Sequence, residues 1–171
     1  MNKNRLYLSI ASLIGLGMAS SAFAATTTTG TMPVLATVVA TCSVSAAPLI
    51  FGAIDLHSGV GAAKSTGALN VTCTNTTPYT VGLNSGASGN GKDVNRAMKN
   101  AAAGGTINYG LFSDSLYAVP WGDGQAGNGK TKDGAGTGIT ETLLVFGKIS
   151  SDVSAVAPGL YADSVTITIT Y

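Results

Sequence analysis

The last eleven residues, Tyr161-Ala-Asp-Ser-Val-Thr-Ile-Thr-Ile-Thr-Tyr171, alternate apolar and hydroxyl-bearing side chains without interruption from Val165 onward. A period of two suits a β-strand, because successive side chains leave opposite faces of the extended backbone. The pattern predicts one strand with Tyr161, Val165, Ile167, Ile169 and Tyr171 inward and the threonines outward. The same period recurs at Ala68-Leu-Asn-Val-Thr-Cys73, which turns Leu69, Val71 and Cys73 inward, at Tyr79-Thr-Val-Gly-Leu83, and at Thr106-Ile-Asn-Tyr-Gly-Leu-Phe112, where Ile107, Tyr109 and Leu111 share a face. Glu141–Gly147 reads as a further strand, and Ser43–Gly52 as a short extended run with Leu49 and Phe51 on one side. Val94–Asn100 fits a short strand or a turn of helix, and its β surroundings favour the strand. Pro78 and Pro158-Gly159 mark turns. Beyond the first 24 residues no stretch carries a 3.6-residue apolar period, so the predicted class is all-β, an immunoglobulin-like β-sandwich of about six core strands.

Residues 1–24 have the layout of a secretory signal: Lys3 and Arg5, then the apolar run Leu6–Met18, then Ala22-Phe23-Ala24 as a small-x-small cleavage site. The run is interrupted by Ser9, Ser12, Gly15 and Gly17, and is short for a membrane span. Removing residues 1–24 from the 171 leaves 147, enough for one domain, and leaves seven basic residues against eight acidic, a formal charge of −1. That balance argues against a nucleic-acid partner or an electrostatic membrane footprint. Export also governs the cysteines. Cys42 and Cys73 are the only two in the chain and would meet an oxidising compartment, so they are expected to pair. Closing a loop of that size is worth roughly 3–4 kcal/mol in the chain-entropy account.

The segment Thr31-Met-Pro-Val-Leu-Ala-Thr-Val-Val-Ala-Thr-Cys42 reads as a strand with no partner nearby in sequence. Met32, Val34, Ala36 and Val38 share one face, and Pro33 and Thr37 occupy the other, which suits an edge. Two readings fit: an ordinary first strand of the sandwich, or a strand given to a neighbouring copy. The alternating C-terminal strand bears on the choice, because nothing after Tyr171 is there to cover its far edge.

Other patterns resemble catalytic or ligand motifs without their context. Gly124-Gln-Ala-Gly-Asn-Gly129-Lys130-Thr131 matches the phosphate-cradling pattern, and Gly122-Asp-Gly124-Gln-Ala-Gly127 matches the dinucleotide one. Both motifs need a helix to follow, and Lys132-Asp-Gly-Ala-Gly-Thr-Gly138 does not sustain one; residues 122–138 are expected to be a long mobile loop or a loose hairpin. The acidic residues Asp55, Asp93, Asp114, Asp123, Asp133, Glu141, Asp152 and Asp163 are scattered, so solvated or turn-capping roles are expected. His57 is the only histidine and reads as a loop residue; with no G-x-S-x-G elbow and no ligand spacing, no catalytic residue, metal ligand, cofactor or small-molecule substrate is assigned.

The chain resembles the spore coat U domain family, which includes the pilins of archaic chaperone-usher pili. The resemblance is carried in order by Thr41-Cys42-Ser43-Val44, Leu49-Ile-Phe-Gly52, Leu69-Asn-Val-Thr-Cys-Thr74 with Pro78-Tyr79, Arg96-x-Met98, Ile107-Asn-Tyr-Gly-Leu111, Trp121-Gly-Asp-Gly124 and Gly159-Leu-Tyr-Ala-Asp-Ser-Val-Thr-Ile-Thr-Ile169. It implies an incomplete immunoglobulin-like fold whose missing strand leaves a groove beside the C-terminal strand. A periplasmic chaperone would fill the groove first; at an outer-membrane usher the N-terminal strand of the next subunit would replace it, giving a homopolymer on the bacterial cell surface. Mapped here, residues 25–41 would be the donor segment, with Met32, Val34, Ala36 and Val38 as its side chains, and residues 42–171 the pilin domain, with Val165, Ile167, Ile169 and Tyr171 at the groove edge. Small Ala36 implies a shallow pocket opposite it. Pro33 lacks an N–H, so pairing begins at Val34 or turns that position away from the receiving edge. The single-domain length favours a shaft subunit over a tip adhesin, and the expected biological output is attachment and biofilm formation. A coat protein of the same fold and a glycan-binding or hydrolytic domain using the loop around Trp121 and Asp123 are the competing readings.

Overall fold

The computed structural model describes residues 24–54, 63–88, 92–149, 153 and 155–171. Residues 1–23 of the predicted signal segment, and the positions Asp55, His57 and Asp152, lie outside the described residues. The chain divides into two units, residues 1–36 and 37–171. In the first, residues 24–36 have no regular secondary structure and are exposed.

The second unit is all β among its described residues, with β1 Cys42–Ala46, β2 Lys64–Cys73, β3 Pro78–Leu83, β4 Arg96–Asn100, β5 Thr106–Phe112, β6 Lys132–Ala135, β7 Thr140–Ile149, β8 Tyr161–Ala162 and β9 Ile167–Thr170. They form two sheets of an immunoglobulin-like sandwich, ordered β1-β2-β7-β5-β4-β8 and β6-β3-β9. The pairings are antiparallel, and the longest runs from Lys64 opposite Lys148 to Thr72 opposite Thr140. Alternation places the core as predicted. Leu69 and Val71 of β2, Tyr79, Val81 and Leu83 of β3, Ile107, Tyr109 and Leu111 of β5, and Val145 and Ile149 of β7 are buried together. Cys42 and Cys73 sit opposite each other across β1 and β2 and are joined by a disulfide.

Two local expectations need correction. The predicted single strand from Tyr161 to Tyr171 is two strands in different sheets. β8 pairs with β4, and after Asp163–Thr166 the chain enters the other sheet as β9, where Ile167 faces Leu83 and Thr170 faces Thr80. The inward parity survives the crossing, so alternation alone hides it; the polar interruption at Asp163 is the one inward position that departs from the pattern. Residues 122–138 are an ordered excursion rather than a loose loop. Trp121 bridges to Lys130, Gly122 donates to Lys130 O and Lys130 to Pro120 O, and β6 pairs with β3. Glycine is required there by close approach: a Cβ on Gly134 would lie 2.4 Å from the Tyr79 ring and one on Gly122 2.1 Å from an Asp93 carboxylate oxygen.

Candidate functional site

The sandwich is not sealed along one side. A cavity of about 900 Å³, partly open to solvent, runs between the sheets over Leu69, Leu83, Met98, Ile107, Leu111 and Val145. One rim is the end of β1 and the segment Ala47–Ile54 that follows it; the other includes Asp163–Val165 and Ile167. Both rims are free edges. Among the described residues β1 is last in its sheet with only β2 as a neighbour, and β9 is last in its sheet with only β3. An apolar channel flanked by unpaired strand edges is a template for another strand, since the backbone donors and acceptors and the exposed core side chains are satisfied by the same event.

The predicted groove-edge residues distribute unequally. Val165 and Ile167 line the cavity and are half-buried. Ile169 is half-buried against the core beyond the cavity, and Tyr171 is 58 % exposed. The predicted donor residues Met32, Val34 and Val38 are exposed large apolar side chains, as are Leu35 and Val39, and Ala36 is exposed as well.

The crossing that delivers β9 to the groove is fastened by two polar side chains. Asp163 Oδ1 accepts from the Ser88 and Ser164 N–H groups, and its Oδ2 accepts from the Tyr109 hydroxyl at 2.7 Å. Burial, reinforced by that bond to Asp163, pushes the Tyr109 phenol above its usual range, so the hydroxyl stays a donor. Asn84 Oδ1 accepts from Thr166 N at 2.8 Å and Gly86 N at 3.0 Å.

Sequence reading missed the polar centre behind the groove. Asp93 and Arg96 are fully buried, where a solvated or capping aspartate was expected. Arg96 donates to the carbonyls of Asn84, Asp93, Leu83 and Trp121, and burial pulls its guanidinium below the usual value. The Asp93 carboxylate accepts from Gly129 N at 2.9 Å and Asp123 N at 2.6 Å. The glycine-rich stretch that matches phosphate motifs therefore does cradle acceptor oxygens with its backbone N–H groups, and those oxygens are the protein's own. Lys132 opens β6 where the phosphate motif needs a helix. Other acids cap turns as expected: Asp114 accepts from the Leu116, Ala118 and Val119 N–H groups, which hold its carboxyl below the usual range. Trp121 is also enclosed, with Nε1 donating to Val81 O at 3.0 Å, so the ring proposed for glycan stacking has no free face. The available signal was Arg96 itself, a charge in a strand beside a short glycine-rich loop.

The family model of the Spore Coat Protein U domain matches residues 28–168. The chain belongs to the Spore Coat Protein U domain family. No curated protein matches it. Among solved structures, it is similar to a chain in the crystal structure of the CsuC-CsuE chaperone-tip adhesion subunit pre-assembly complex from archaic chaperone-usher Csu pili of Acinetobacter baumannii, at 24 % identity and a TM-score of 0.55. That match covers 79 % of this chain and 40 % of the other, so this chain spans less than half the length of its structural neighbour. The likeness is one of fold. In this Spore Coat Protein U domain, the disulfide ties β1, the strand bounding the groove, to β2, its neighbour in the larger sheet.

Proposed function

We propose that this chain is a non-enzymatic shaft subunit of a surface pilus, exported through the periplasm and assembled by a chaperone and an outer-membrane usher through donor-strand exchange. The observation that carries the reading is the open apolar groove between the free edges of β1 and β9. A chain that also bears an exposed, alternating apolar segment holds both halves of a head-to-tail joint and can repeat indefinitely. In the assembled fibre, residues 25–41 of one copy extend along β9 of the next. Val34, Ala36 and Val38, with Met32 at the Pro33 end, enter the groove, and Val165, Ile167, Ile169 and Tyr171 form its receiving edge. At about 25 cal/mol per Å² of apolar surface, three or four such side chains contribute several kcal/mol before backbone pairing is counted. The periplasmic chaperone occupies the groove until the exchange, which keeps an aggregation-prone edge covered. Attachment and biofilm formation are the proposed output.

The test is a denaturing gel of material sheared from the cell surface, loaded unheated and boiled. Strand-complemented polymers persist through slow unfolding, so a ladder should appear unheated and collapse to one band on boiling. Ile167→Asp should abolish the ladder, and deletion of residues 25–40 should leave a chaperone-held subunit that cannot act as donor. Normal fibres from either variant would refute the reading.

A further inference from the structure

The rim Pro48–Phe51, which ends at Gly52 with its φ of 77°, is built like a strand without a partner among the described residues. Leu49 and Phe51 turn inward and Ile50 between them turns out. Leu49 fills the space over Gly67 and Gly147, where an added Cβ would come within 3.2 and 2.8 Å of its atoms, and Phe51 meets the Tyr109 ring edge-on with centroids 6.2 Å apart. Ile50 is 72 % exposed at the groove mouth. The backbone of this rim makes one hydrogen bond to another described residue, Ser65 Oγ donating to Ile50 O at 2.6 Å. Side-chain anchoring thus holds the segment in place without strand pairing to another described residue.

The donor segment is apolar on both faces. Val34, Ala36 and Val38 account for the groove, but Leu35 and Val39 lie on the opposite face and are 87 % and 66 % exposed. A strand that buries only one face carries polar residues on the other. Building on the donor-strand reading, in which residues 34–39 of a second copy lie between the Pro48–Phe51 rim and β9, we propose that Leu35 and Val39 pack on Ile50 across the outer face. Residues directly opposite in neighbouring strands have Cβ atoms about 5 Å apart, and diagonal ones about 7–8 Å, so a single isoleucine reaches both. On the other flank the outer face meets Thr168 and Thr170, which are exposed and polar, so the apolar contact is one-sided and sets which rim the strand leans on.

The experiment is cysteine cross-linking in assembled fibres. Leu35→Cys or Val39→Cys is combined with Ile50→Cys, and sheared fibres are run without reductant, unheated and boiled. Leu116→Cys, exposed on a turn that does not line the groove, replaces Ile50→Cys as the control. At least one of the two pairings should give a ladder that survives boiling and collapses with reductant, while the control collapses on boiling alone. An unheated ladder that collapses on boiling for both pairings overturns this contact and leaves donor-strand exchange standing. Absence of any unheated ladder from the unmodified protein overturns the exchange and the contact together. Independently, Leu35→Ser and Ile50→Ser should each lower the temperature at which the ladder collapses, and the double variant should lie no lower than the worse single; additive losses would also refute the contact.

Discussion

The two sides of this sandwich solve opposite problems. Around Asp93, Arg96 and Trp121 the buried polar side chains are enclosed and hydrogen-bonded, and Gly122 and Gly129 of the loop that supplies the partners have no room for a Cβ. Between β1 and β9 the core is apolar, half-covered and bounded by edges with no strand beyond them. The difference teaches that incompleteness here is local. A sandwich open along one side needs a rigid frame on the other, because an open groove keeps its shape only if the sheets flanking it cannot close on each other.

The comparison can be broken by substitutions in the closed side. Arg96→Ala leaves four carbonyls, three of them in buried bonds, short of a donor and should cost about 3–5 kcal/mol, read as a lower denaturant midpoint of the purified protein. A loss under 1 kcal/mol would mean that the frame does not depend on this centre. Replacing both Cys42 and Cys73 by alanine should cost about 3–4 kcal/mol and loosen β1, so that hydrogen exchange speeds up at Val44 ahead of Val81. Uniform acceleration would erase the contrast between edge and frame. Tyr109→Phe removes one donor to the Asp163 carboxylate, at the crossing between the two regions, and should cost about 1.5–3 kcal/mol with faster exchange over residues 164–170.

The smallest effect is on pH dependence. The Asn128 side chain and the Gln125 N–H bond to Asp123 and hold its carboxyl below the usual aspartate value. A folded-state pKa lower than the unfolded one means that the stabilisation is present above the unfolded value, near pH 4, and is lost as the pH falls through the folded one. Because Asp123 is largely in water the effect is slight, and Asp123→Asn should flatten the slope of stability against pH below 4. An unchanged slope would assign the acid sensitivity to other groups.

Much of the frame was legible from periodicity. Leu69, Val71, Val81, Ile107, Tyr109 and Leu111 are buried where alternation placed them, and two cysteines had one way to pair within the chain. The candidate site was partly legible: the parity that puts Val165 and Ile167 inward also puts them on the groove. Hidden were the burial of Asp93 and Arg96, the enclosure of Trp121 and the order of residues 122–138. A buried charge looks like a solvated one in a one-dimensional string, and a glycine that yields space to Tyr79 looks like one that yields flexibility.

The amino-acid order by itself indicated the core strands other than β6 and which face of each is apolar, because those follow from side-chain alternation along a few neighbouring residues. Only the tertiary structure decided that Asp163 separates two strands of different sheets, and that β1 and β9 end as free edges around a groove. Strand pairing is made by backbone groups common to every residue and joins segments far apart in the chain, so nothing in a single strand's pattern names its neighbour.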